Sequence, residues 1–156
     1  MDEDNLVRKA LEKLGFTVLR VAWDDPNCNW NKVDYAVLRS TWDYFDYYPE
    51  FLAWLEQLEA LGTSVLNPVA TLRWNSSKNY LLELKAKGYP CVAGQILPKG
   101  TVISLEELHD AIQADTLVVK PLVSGGAKNT LKISRGAGKE MEQKIASLLQ
   151  EEDFLV

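Results

Sequence analysis

The residues best suited to chemistry are Val118-Val119-Lys120-Pro121 and, shortly after, Ser124-Gly125-Gly126-Ala127. A lysine ending a buried apolar run is costly unless its ammonium reaches water or an anion, and neighbouring glycines let backbone N–H groups approach a phosphate closely. Together they read as a phosphate cradle. The same residues also read as a strand-terminal lysine that snorkels to solvent, beside a hairpin turn that needs glycine only for its dihedrals. Lys78 is a second candidate, because the spacing predicts a helix over 77–87 and a helix N-terminus offers free N–H groups and partial positive charge to an anion. Taken alone it also reads as a solvated surface lysine, with Asn75-Ser76-Ser77 either contacting a ligand or simply capping.

A third group, Leu38-Arg39-Ser40-Thr41-Trp42-Asp43-Tyr44, follows an apolar strand-like run, the place where open α/β sheets present ligand-binding loops. Arg39 can fork onto a carboxylate or phosphate and Trp42 can wall a pocket. The alternative pairs Arg39 with Asp43 and places Trp42 in the core. The aromatic run from Tyr44 to Trp54 lacks interleaved basic residues, so it reads as core and pocket wall rather than as a stacking platform. His109, the single histidine, lies among Glu106, Glu107 and Asp110 and reads as a solvated helix face. Asp24-Asp25-Pro26 reads as a turn, with no third metal ligand nearby.

These groups must be positioned by regular elements. Leu6, Val7, Ala10, Leu11 and Leu14 keep helical spacing, with Asn5 as a cap and Gly15 as a stop. Thr17–Val21 and Tyr35–Leu38 read as two strands buried on both faces, Pro49–Leu61 as a helix, and Thr63–Leu66 as a strand. That order predicts a parallel α/β layer whose first strand is absent. Beyond Asn67-Pro68, which initiates a turn, the expected elements are the helix over 77–87, a strand over Val92–Leu97 and a helix from the capping box Ser104–Glu107 to Ala114. Strands over Thr116–Lys120 and Thr130–Ser134, a helix over Lys139–Gln150 and a strand starting at Phe154 complete the list. The expected units are 1–69 and 70–156.

Composition agrees with two units. A length of 156 residues suits one ordinary domain, yet 14 of the 15 aromatic residues lie at or before Tyr89 and seven of the nine glycines lie from Gly88 onward. The chain is 47% hydrophobic and 25% charged, the usage of a globular protein. A net charge of −5 offers no broad basic field, which argues against nucleic-acid and membrane partners. Cys28 and Cys91 lie in no metal-ligand spacing, which fits reduced thiols in a cytoplasm. No leader-like apolar core opens the chain, and no window of about 18 residues is apolar enough to span a bilayer.

Taken in order, Trp23-Asp24-Asp25-Pro26, Leu38 to Tyr44, Leu66-Asn67-Pro68, Trp74-Asn75 with Lys78 and Tyr80 to Leu84, then Val118 to Pro121 and Ser124 to Ala127 resemble bacterial ATP-grasp proteins. The nearest branch holds glutathione-synthetase-like and cycloserine-biosynthesis ligases. The resemblance implies a Rossmann-like pre-ATP-grasp domain over 1–69 and the first lobe of an ATP-grasp fold, incomplete, over 70–156. It assigns Lys78, Lys120, Ser124, Gly125, Gly126 and Ala127 to ATP, and Arg39, Ser40, Thr41, Trp42 and Asp43 to a loop on the substrate side. The implied reaction phosphorylates a small-molecule carboxylate with ATP, after which an amine attacks the acyl phosphate. The Mg ligands are expected outside this chain, since its carboxylates, such as Glu106, Glu107, Glu140, Glu142, Glu151, Glu152 and Asp153, read as helix faces and ends. The expectation is therefore an ATP-binding half of a ligase, truncated at both ends and inactive alone. The alternative is a non-catalytic module that pairs through open sheet edges, as a homo-oligomer or with a complementing chain.

Overall fold

Leu6, Val7 and Leu11 place an apolar stripe on the opening helix, α1 (Asp2–Lys13), of the computed structural model, which describes residues 2–156. The helix starts before Asn5, so that residue lies inside it and is not the expected cap. Gly15, at φ +91°, closes the end, and the Phe16 N–H donates back to the Leu11 carbonyl at 3.2 Å. The described chain divides into two compact units, Met1–Val69 and Ala70–Val156.

In the first unit, β1 (Tyr35–Val37) and β2 (Ser64–Leu66) pair in parallel, with Ala36 opposite Val65. Between them runs α2 (Tyr48–Ala60), which starts with Pro49 in its first turn and buries Phe51, Trp54, Leu55 and Leu58. Parallel neighbours need such a crossover. Trp23, Trp30, Tyr44, Phe51 and Trp54 form a chain of ring contacts at 5.2–6.0 Å centroid separation, and Trp23, Phe51 and Trp54 are buried in the core of this unit.

Two strand expectations fail here. Thr17–Val21 joins no ladder and Leu19 is exposed, because β-branched content sets a propensity while the pairing partner is a tertiary matter. Burial on both faces fails too: Ala36 and Val65 point inward, whereas Tyr35, Val37 and Leu66 are exposed. Only the face toward α2 is covered.

The second unit begins with a helix absent from the expectation, α3 (Val69–Ser76), followed after a break by α4 (Tyr80–Ala86). The anticipated single helix over 77–87 is therefore divided differently. Ser76 Oγ donates to the Arg73 carbonyl at 2.9 Å and Ser77 Oγ accepts from the Asn79 N–H at 3.4 Å, local bonds that compete with a continuous helical ladder. Trp74 spans the break, donating from Nε1 to Glu83 at 2.7 Å and meeting the Tyr80 ring at 5.2 Å.

A four-stranded sheet follows in the order β3 (Ile96–Leu97), β6 (Phe154–Leu155), β4 (Thr116–Pro121), β5 (Leu131–Ser134), antiparallel throughout. The anticipated strand from Val92 shortens to its last two residues. Helices α5 (Leu105–Ile112) and α6 (Lys139–Leu148) supply Leu105, Leu108 and Ile145 to a core that also holds Leu97, Leu117, Val119, Ile133, Leu149 and Phe154. The capping box is half realised as expected: Ser104 Oγ accepts from the Glu107 N–H at 3.4 Å. Glu142 of α6 accepts from the Leu105 N–H at 2.9 Å, tying the two helices at that end.

His109 corrects the reading of a solvated face. It is fully buried, with Nδ1 donating to the Ala114 carbonyl at 2.6 Å, because it shares the inward side of α5 with Leu105 and Leu108. Charged neighbours in sequence hid a position that helical geometry turns inward.

Phe154 is fully buried between β3 and β4. Replacing it with alanine is expected to lower stability by about 3–5 kcal/mol, read as a shift in the denaturant midpoint at constant slope. Phe154→Leu should retain most of it.

Candidate functional site

Strand β4 alternates strictly. Leu117, Val119 and Pro121 face the core, while Thr116, Val118 and Lys120 lie on the opposite side of the sheet. Lys120 is thus presented at the end of the strand on the side away from α5 and α6, half-buried and directly across from Leu155. The chain then turns through 122–130, where Gly126 (φ +57°), Ala127 (φ +59°) and Asn129 (φ +52°) take left-handed backbone. Glycine adopts this freely; for alanine it costs on the order of 1 kcal/mol.

The break between α3 and α4 delivers Lys78 to this loop. Its N–H donates to the Leu122 carbonyl at 2.8 Å, and its ammonium donates to Ser124 Oγ at 2.7 Å and to the Ser124 carbonyl at 3.1 Å. Lys78 is therefore not a residue of a helix N-terminus: it sits in the turn ahead of α4, held by backbone from another element.

The charges around this point are half-buried. Burial, and then the nearby positive charge of Lys120, lower the proton affinity of Lys78, while Glu152 acts in the opposite sense. Burial also raises the Glu152 carboxyl above the usual carboxylate range, opposed by a hydrogen bond from Asn129 and by the charges of Lys128 and Lys78. Lys78, Lys120 and Ser124 are thus brought together, with Glu152, Lys128 and Asn129 beside them. Gly125 is half-buried, and Gly126 and Ala127 lie in the exposed part of the loop.

Glu152 is the residue that local reading missed. It lies in the turn between α6 and β6, where its charged neighbours suggest only a solvated helix end. The antiparallel register that sets Phe154 opposite Pro121, extended by the Leu122 N–H donating to the Asp153 carbonyl at 2.9 Å, brings Glu152 beside the loop after β4.

A separate cluster forms in the first unit. Asp4 of α1 accepts from Arg39 Nε at 3.1 Å, from Ser40 Oγ at 3.1 Å and from Arg20 at 3.4 Å. Arg39 does not pair with Asp43, which instead accepts from Trp23 Nε1 at 2.9 Å. Trp42 is 73% exposed and not in the core, and Thr41 begins the turn that follows. The Arg39 to Asp43 segment therefore presents one aromatic side chain to solvent and ties its arginine to α1.

Among the described residues, no group of three or more His, Cys, Asp or Glu side chains is arranged to hold a metal ion. No described helix is long and apolar enough to cross a membrane.

With this geometry in place, three comparisons bear on the chain. Residues 1–67 match the family described as D-cycloserine synthetase DcsG, N-terminal domain. The chain is 27% identical over 145 residues to the cycloserine biosynthesis protein DcsG of Streptomyces lavendulae, covering 90% of this chain and 48% of that relative. It also matches the crystal structure of D-cycloserine synthetase DcsG with a TM-score of 0.82 and 25% identity, over 94% of this chain and 50% of that one. The chain is thus homologous to DcsG and spans about half the length of the curated relatives it matches.

The Asp4 cluster gives a pH signature. Its hydrogen bonds to Arg39 and Ser40, with the charges of Arg20 and Arg39, hold the Asp4 carboxyl below the usual aspartate range. A carboxyl depressed in the folded state stabilises the fold above its unfolded pKa, and that contribution is lost as the pH falls through the folded value. Asp4→Asn should therefore melt lower than the parent at neutral pH, with the gap closing as the pH drops below the ordinary aspartate range. A gap independent of pH would contradict this.

Proposed function

We propose that this chain is the ATP-binding half of an ATP-grasp carboxylate–amine ligase. On this reading residues 1–69 form a Rossmann-like pre-ATP-grasp domain and 70–156 the first lobe of the ATP-grasp fold. The homology to DcsG supports a biosynthetic ligase role. The observation that carries the site assignment is the convergence of Lys78, Lys120 and Ser124 at the end of β4.

Two ammonium groups that repel each other in a half-buried setting are poorly neutralised by a single carboxylate, so an incoming polyanion is favoured there over water. Lys78 and Lys120 would hold the phosphates electrostatically. Ser124 would fix the direction of the Lys78 ammonium, and Gly125, Gly126 and Ala127 would supply close backbone approach without side-chain bulk. When bound, ATP supplies the phosphoryl group that activates a carboxylate as an acyl phosphate for attack by an amine. This chain's own contribution is to bind and orient the triphosphate by charge. The Arg39 to Asp43 loop would meet the carboxylate substrate through the exposed Trp42, and through Arg39 and Ser40 once the substrate carboxylate takes the place of Asp4.

Magnesium ligands are assigned to the other half of the ligase, and the chain alone is proposed to bind nucleotide weakly and to give no turnover. Free Cys28 and Cys91 suit a cytoplasmic setting for such an enzyme. A second reading, a non-catalytic module that associates with a complementing chain or another copy, draws on the exposed apolar side of the β1–β2 sheet, where Tyr35, Val37 and Leu66 lie. A stable oligomer that buries those three residues would favour it.

Lys78→Met and Lys120→Met should each weaken tripolyphosphate binding by about tenfold or more, measured by titration calorimetry at low ionic strength. Undiminished binding in both variants would overturn the cradle. Incubated with magnesium, ATP, an amino acid and an amine, the chain alone should release no ADP above background. Steady ADP release would contradict the division of labour between halves.

A further inference from the structure

Both ends of the loop after β4 are tied by charged side chains. At its start, Lys78 donates twice to Ser124. Near its end, the Glu152 carboxylate accepts a hydrogen bond from Asn129 and is attracted to Lys128 and Lys78. Strand register sets Glu152 in place: with Phe154 opposite Pro121 and the Asp153 carbonyl bonded to Leu122 N–H, the residue before Asp153 falls beside the emerging loop. The backbone of the loop is folded on itself through Lys128 N–H to the Gly125 carbonyl at 3.0 Å and Thr130 N–H to the Ala127 carbonyl at 3.1 Å.

We propose that Glu152 is an internal stand-in for phosphate, latching the 124–130 loop and the Lys78 ammonium until a polyphosphate displaces it. The proposal rests on the reading of Lys78 and Lys120 as a phosphate cradle. Glu152 supplies one negative charge near two lysines, Lys128 and Lys78, and Lys78 also faces the positive charge of Lys120, so the neutralisation is partial. A polyphosphate offers more charge to the same ammonium groups and repels the carboxylate. Its arrival frees Asn129 and Lys128, and with them the exposed, left-handed stretch at Gly126 and Ala127, to rearrange around the ligand. The latch therefore lowers affinity and in return keeps the two half-buried ammonium groups from facing each other without a counter-ion.

Glu152→Gln keeps the shape and the acceptor for Asn129 but removes the charge. Two readouts on the full chain test the latch. Amide hydrogen exchange over 124–130, measured without ligand, should become faster in Glu152→Gln, and faster still in Glu152→Ala; unchanged exchange overturns the latch whatever binds. Titration with tripolyphosphate should show binding roughly three- to tenfold tighter in Glu152→Gln than in the parent, the size expected from removing one nearby like charge. Equal or weaker binding in the variant overturns the displacement, because Glu152 would then be organising the cradle instead of competing for it. Faster exchange with no tripolyphosphate bound by either protein would overturn the phosphate cradle and the stand-in role together, leaving Glu152 a plain loop tether.

Discussion

Two ammonium groups, Lys78 and Lys120, are held near each other in a half-buried setting where burial and the charge of Lys120 make Lys78 harder to protonate. Like charges so placed are unfavourable in a fold with nothing to bind, and the surrounding elements are arranged as though to enforce the arrangement. Strand β4 fixes Lys120 by alternation: the register that buries Leu117, Val119 and Pro121 obliges Lys120 onto the other side. Lys78 is fixed by backbone, its N–H bonded to Leu122, and by its two bonds to Ser124. Four hydrogen-bonded strands and two helices stand behind these contacts, so the site draws its rigidity from the core on the opposite side of the sheet.

Strand β6 joins the fold to the site. It lies between β3 and β4, burying Phe154 on the core side, and the segment leading into it carries Glu152 to the loop. Packing and electrostatics are coupled here: a change in how β6 seats against β4 moves a carboxylate that offsets Lys78. In the first unit the analogous organiser is Asp4, which gathers Arg20, Arg39 and Ser40 onto the side of α1 and leaves Trp42 exposed.

Much of this could be read from residue types. The run Thr116–Lys120, the Ser104 cap and the spacing of Phe51, Trp54, Leu55 and Leu58 are local signals, and each produced the expected element. What escaped depended on partners distant in the chain or on rival local bonds. The serines at 76 and 77 were expected to cap a helix, yet their hydroxyls serve a break that puts Lys78 in a turn. Thr17–Val21 had the right residues for a strand and pairs with no strand among the described residues. His109 looked polar from its neighbours and is buried by the phase of its helix. Arg39 found Asp4 rather than Asp43, and Glu152 reached the loop only through antiparallel register. Lys78, Lys120 and Ser124 stand out in the sequence by type; the contact between Lys78 and Ser124, 46 residues apart, does not.

The Lys78 ammonium is destabilised by burial and by Lys120, and a bound polyanion would relieve it. The direct measurement is the titration of the Lys78 side chain by nuclear magnetic resonance, with and without saturating tripolyphosphate. A pKa below the ordinary lysine value is expected in the free chain, rising when the anion binds. An ordinary value that the anion leaves unmoved would contradict it.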